Sequence, residues 1–196
     1  MKGQTQAISL VLISGILIGV VSSVYFWGLP LIQKNRDISL LENSEQLIRS
    51  INEKAKSVAN NGGRDKITVT GPGILRFDPA DGGLFTYTIE TDGTVYATNA
   101  EIPLGRNACS SQSGEWGKKD SEVLCVKSTG ESRYTTTYSL RYIRLDAGTR
   151  SFLLELQGER AVSGESHDII LENTGTEGTV SGGRSVVSTV VQVTII

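Results

Sequence analysis

The hydrophobic pattern changes twice along the chain. From Ala7 to Ile32 no side chain is charged. As a helix, these roughly 26 residues would span about 39 Å, against about 30 Å for the hydrocarbon core of a bilayer. Ile8 to Phe26 alone holds about twelve Leu, Ile, Val or Phe side chains. On the insertion scale they contribute about −4 to −7 kcal/mol, with no charge to offset them. A cleaved signal peptide would have a shorter apolar core ending at a small-residue site. Val21-Ser22-Ser23 offers only a poor site, and the apolar run continues through Tyr25-Phe26-Trp27, an aromatic group suited to a membrane interface. The segment is therefore expected to be retained as a helix. Gly15, Gly19 and Ser23 stand four residues apart, a small-residue face against which another helix can pack closely. Gly28-Leu29-Pro30 is expected to kink or loosen the helix, since proline removes a hydrogen bond and crowds the preceding turn.

The second pattern is amphipathic. Leu41, Ser44, Ile48, Ile51, Ala55 and Val58 recur at steps of three and four, with Leu40 and Leu47 widening the stripe. Glu42, Glu45, Arg49, Glu53 and Lys56 take the other faces. A helix over 38–59 follows, stopped by Asn60-Asn61-Gly62-Gly63. Only Gln33 to Asp37 separates the two stretches, so one bent rod of about 55 residues is expected, apolar in its first half and amphipathic in its second.

After Gly63 the period becomes two. Strands are expected at Lys66–Thr70, Gly73–Phe77, Leu84–Glu90, Thr94–Thr98, Ser121–Lys127, Tyr134–Leu145, Ser151–Gln157, Asp168–Glu172 and Ser185–Ile196. Asp92-Gly93 predicts a hairpin joining Leu84–Glu90 to Thr94–Thr98. Asp146-Ala147-Gly148 predicts another, pairing Ser151–Gln157 with the long Tyr134–Leu145 strand. On the last strand Val187, Val191, Val193 and Ile195 would share one face. Gly164-Glu165-Ser166 and Gly175 to Gly183 read as loops. The fold class is α+β, a long N-terminal helix followed by an antiparallel, sandwich-like β head.

Composition sharpens this picture. The net charge of −2 over 196 residues argues against a general nucleic-acid binder, which shows a basic stripe. Cys109 and Cys125 are the two cysteines. In an exported protein they would form one disulfide, closing a loop of about 17 residues worth roughly 3 kcal/mol. In a reducing compartment they would be two thiols. Lys2 precedes the apolar run, and Lys34 and Arg36 follow it, so a positive-inside count does not favour a head placed outside. The large C-terminal region and the cysteine pair do favour it.

Candidate chemistry is sparse. His167 is the single histidine, next to Asp168. The sequence Gly164-Glu165-Ser166 lacks the second glycine of a nucleophile elbow. Asp78-Pro79-Ala80-Asp81-Gly82-Gly83 has too few ligands for a calcium loop and reads as a turn. The cysteines lack zinc-ligand spacing, and no phosphate-binding glycine loop occurs. No metal, cofactor or catalytic residue is expected.

Met1-Lys2-Gly3, followed by Gln4-Thr5-Gln6 and an unbroken apolar helix, resembles the start of archaeal type IV pilin-like proteins. The resemblance implies a very short basic leader, residues 1–3, cut by a prepilin peptidase between Gly3 and Gln4. It implies a core helix over 4–33, an amphipathic helix and linker over 34–63, and an extracellular β head over 64–196. Copies of the chain would pack their apolar helices in a filament core after leaving membrane lipid, in an open helical symmetry. The head would be exposed on the cell surface and open to an adhesive role. The chain departs from bacterial members at Ile8, where they carry a glutamate, and its leader has a single basic residue. Two rivals remain: a single-pass anchored β module that never polymerises, and an anchored hydrolase using His167.

Overall fold

The computed structural model describes the backbone of residues 2–164, 166–181 and 183–196; the side chains of residues 2–8, Asp81 and Ser181 are outside the described set. Helix α1 (Lys2–Asn61) is followed by twelve strands in chain order: β1 (Arg64–Thr70), β2 (Ile74–Asp78), β3 (Leu84–Thr91), β4 (Glu101–Pro103), β5 (Ser113–Glu115), β6 (Glu122–Gly130), β7 (Tyr134–Tyr142), β8 (Arg144–Ala147), β9 (Arg150–Gly158), β10 (Ala161–Ser163), β11 (Ser166–Ser181) and β12 (Arg184–Ile195). They build two six-stranded sheets, β1-β11-β12-β9-β8-β5 and β10-β2-β3-β7-β6-β4. The α+β class stands. Pairing is mostly antiparallel, but β12–β9 and β5–β8 run parallel, so the first sheet is mixed.

The expected amphipathic stripe is the inner face of the helix. Leu41, Ser44, Ile48, Ile51, Ala55 and Val58 are all buried. All but Ser44 share one continuous core with residues of both sheets, among them Val69, Phe77, Tyr87, Tyr138, Leu156, Leu171 and Val191. Each fully buried Leu or Ile contributes about 1.5–3 kcal/mol. The helix is thus part of the head and completes its core. The Gly62 N–H bonds to Val58 O at 2.9 Å. Gly62 does so at φ +74°, the left-handed conformation that ends a helix. The helix runs unbroken through Gly28-Leu29-Pro30 and through 33–37, so the loosening expected at Pro30 does not interrupt it. Proline forfeits one backbone bond, and its flanking turns retain theirs.

Several strand expectations are overturned. Thr94–Thr98 is no strand, and the Asp92-Gly93 hairpin is absent. Both edges of β3 are already occupied, by β2 and β7. The chain instead turns toward the helix: Gly93 N donates to Asp37 Oδ2 at 2.8 Å. The single strand expected over Tyr134–Leu145 is two. β7 lies in one sheet, and after buried Ile143 the chain crosses to the other sheet as β8. β9 therefore makes its hairpin with β8 alone. The loop expected over Gly175 to Gly183 is strand through Ser181. β11 continues past a bulge at Asn173/Gly175 and pairs with β12 to Ser181↔Arg184. Threonine, serine and glycine there look like a loop in sequence, but the valines of β12 hold them in the ladder. Ser166 likewise opens β11, while Glu165 lies outside the described residues. On β12, Val191 and Val193 are buried as expected, whereas Val187 and Ile195 are half-buried and Val186 and Val190 are covered instead. The C-terminus is tied in: Ile196 and Asp168 exchange both backbone bonds at 2.9 Å.

Cys109 and Cys125 form a disulfide across a Cα–Cα distance of 5.9 Å. It packs with Val123 and Ile143 in a small second cluster, apart from the main core. The bond staples the long connection before β5 to β6.

Candidate functional site: the free half of the helix and its junction with the head

The same helix has two fates. In its second half it is locked to the head at almost every turn. The Tyr138 hydroxyl, buried, donates to Leu41 O at 2.8 Å. Tyr96 OH reaches Glu45 Oε2 at 3.1 Å, and Arg49 Nη2 donates to Leu104 O at 2.7 Å. Tyr142 OH lies 3.0 Å from Asn52 Oδ1, and Lys56 Nζ lies 2.7 Å from Glu122 Oε2. Lys54 Nζ bonds Asp65 Oδ1 at 2.9 Å. Asn173 Nδ2 then caps the last turn, at 3.0 Å from Val58 O and 3.2 Å from Ala59 O. Burial raises the pKa of both Tyr138 and Tyr142, so these hydroxyls stay protonated donors.

In its first half the helix has its described side chains exposed almost throughout. It is long and apolar enough to cross a membrane, and its most apolar stretch has no buried residue. Phe26 is 81% exposed and Trp27 88%. A continuous apolar surface of this length is unstable in water, so it requires lipid or protein around it. Gly15 and Gly19 have open space where a Cβ would stand, so nothing within the chain dictates glycine there. Ser23 Oγ bonds back to Gly19 O at 2.8 Å and Ser14 Oγ to Val11 O at 2.9 Å, which satisfies both hydroxyls inside the helix. Gly3 and Gln4 lie in the first turns, and their surroundings are outside the described residues.

Between the halves lies a junction. Asp37 joins helix to head through Gly93 N. Beside it a groove of about 370 Å³ is lined by Arg36, Asp37, Glu90, Asp92 and Arg133. Its charges are mixed: Arg133 stands 4.0 Å from Glu90 and 3.9 Å from Asp92.

The triad imagined around His167 is not assembled. His167 is buried, with Nδ1 2.9 Å from Gly164 O. Asp168 is the next residue on the strand, so its side chain points to the other face. There it accepts from Thr68 Oγ1 at 2.7 Å and Lys66 Nζ at 3.0 Å, which hold its carboxyl below the ordinary range. Asp78 is used in its own turn, accepting from Ala80 N at 3.1 Å and pairing with Arg160. No group of three metal-ligating side chains occurs among the described residues.

Reading the sequence missed Tyr96 and Asn173. Tyr96 sat in a stretch read as a strand, and Asn173 in β11 gave no capping signal because its target helix end is 114 residues away in the chain. No protein-family model matches the chain, and no curated protein or solved structure is similar to it.

Proposed function

We propose that the chain is a non-catalytic structural subunit of an archaeal type IV pilus-like surface filament. The observation that carries this reading is the continuity of the helix. Its apolar half is free, its amphipathic half is built into the core of the head, and no linker separates them. A rigid connection fixes the head relative to the apolar rod. That is what a helical assembly needs, since each subunit must present the same surfaces to its neighbours. The resemblance of Met1-Lys2-Gly3-Gln4 to a prepilin leader supports the same reading. Prepilin peptidase would cut between Gly3 and Gln4. The helix would wait in membrane lipid, then exchange it for the helices of neighbouring copies, with Gly15, Gly19 and Ser23 allowing close approach. Residues 64–196 would face outward at the cell surface, free for adhesion.

A second reading is favoured by the length of the apolar half, which can span a bilayer without any partner. In that reading the protein is a single-pass anchored binding module with its head outside.

The amino-terminal sequence of the native protein separates the two. It should be determined on material sheared from the cell surface and, separately, on membranes. A start at Gln4 in the sheared fraction supports the filament. An uncut leader confined to membranes overturns it in favour of the anchored module.

A further inference from the structure

Strand β11 is paired with β12 on one side from Ile169 to Ser181. β1 covers its other side from Ser166 to Glu172. The cover ends there because β1 begins at Arg64, directly after the helix, and Gly63 O takes the Asn173 N–H at 2.9 Å. From Gly175 to Ser181 the strand pairs, among the described residues, with β12 alone. Behind it β12 is held in turn by β9, from Ser185↔Arg150 to Val193↔Gly158. The free edge is therefore the rim of a three-strand layer and not a loose hairpin. Thr176, Glu177, Gly178, Thr179 and Val180 are all exposed, and Val180 is 81% exposed.

Such an edge presents every second backbone N–H and C=O to solvent. Edge strands are usually protected by lysine, proline, shortness or a bulge. This stretch has no lysine and no proline, and its bulge precedes it. The other terminal strands β4, β5 and β10 are three residues each. Terminal strand β1 is longer, but Lys54 Nζ sits on its Lys66 O at 2.8 Å.

The geometry points to edge-to-edge pairing of β11 with β11 of a second copy of this chain, antiparallel and centred on Gly178. That register uses all seven residues of each edge. It sets Thr176 against Val180 of the partner copy and Glu177, the single charge, against the partner's Thr179. Glu177 never faces itself, which a register centred one residue earlier would require. The contact is isologous and joins two heads into one sheet. It is independent of the filament reading: it can link heads of anchored monomers or heads of neighbouring filaments.

The full-length chain in detergent micelles provides the test, because the register fixes the sign of a charge change at exposed Thr179. Thr179→Glu would place like charges opposite each other twice per dimer. Thr179→Lys would create two opposite-charge pairs. The dimer dissociation constant from sedimentation should rise by about two- to thirty-fold for Thr179→Glu and fall by about as much for Thr179→Lys. The native protein has no free cysteine, so Gly178→Cys reports on the centre of the register. Gly178 has open space for a side chain. A short thiol crosslinker should join Gly178→Cys chains in pairs and leave Lys118→Cys chains, labelled on a different exposed turn, as monomers. Equal effects of Thr179→Glu and Thr179→Lys, or crosslinking at 178 no greater than at 118, would overturn the pairing.

Discussion

Single side chains decide whether the helix belongs to the head. Tyr138 is buried between helix and sheet, and its hydroxyl is shared between Leu41 O and Tyr96 OH. Tyr138→Phe keeps the ring and removes the bond, so unfolding in urea should require about 1 kcal/mol less free energy. Glu122 gives a pH signature. Half-burial alone would raise its carboxyl, but the Lys56 ammonium, a backbone N–H and the Asn52 amide outweigh that and hold it below its ordinary value of 4.5. A carboxyl lowered in the folded state stabilises the protein above its unfolded pKa. That contribution is lost as pH falls through the lowered folded value. Glu122→Gln should therefore cost about 1 kcal/mol at neutral pH, Lys56 being about a third exposed. It should also make the acid limb of the stability profile shallower than in the native chain. An unchanged acid limb would show that the Lys56 pair does not contribute.

At the scale of elements, the helix end and the disulfide are the two staples. Asn173→Ala removes the side-chain bonds to Val58 O and Ala59 O and leaves the Gly62 N–H as the cap on Val58 O, at an expected cost of about 1–2 kcal/mol by denaturant titration. Reducing Cys109–Cys125, or replacing both by serine, frees a loop closed across 16 residues of separation and should cost about 3 kcal/mol. The elements also show what was legible in the sequence. The helix stripe from Leu41 to Val58 could be read because its period and its burial have the same origin, one face against one core. The alternation of Phe85, Tyr87 and Ile89 could be read for the same reason. The partners of strands could not. β3 was given a hairpin partner at Thr94–Thr98, but whether an edge is free depends on β2 and β7, distant in the chain. The break at Ile143 was hidden because β7 and β8 both alternate, and nothing local marks a change of sheet. Gly175 to Gly183 carries a single large apolar side chain, the exposed Val180, so no alternation marks it, and strand formation there rests on β12. Among candidate sites, the apolar span and the cysteine pair were legible from composition and spacing. His167, read as a polar loop residue, is instead a buried position on β11, with Asp168 on the opposite face.

At the scale of the molecule, the account rests on one rod serving two environments. Two interventions separate rigidity from anchoring. Inserting Gly-Gly-Ser between Gln33 and Lys34 leaves both halves of the helix intact and uncouples them. Membrane retention of the precursor should be unchanged, while the yield of sheared filaments should fall strongly. Gly19→Leu places a large side chain where the chain itself has room, so the head's thermal unfolding should not move. Filament yield should fall, because neighbouring helices would be held apart. Normal yield from Gly19→Leu would remove the close-packing role of the Gly15, Gly19 and Ser23 face. The most direct measurement is a helical reconstruction by electron microscopy of filaments sheared from cells that make the native chain. The expected map has residues 4–33 bundled at the filament axis, the helix continuous into each head, and residues 64–196 forming the outer shell. Sheared material without filaments containing the chain, with all of the protein left in membranes as isolated spans, would contradict the account.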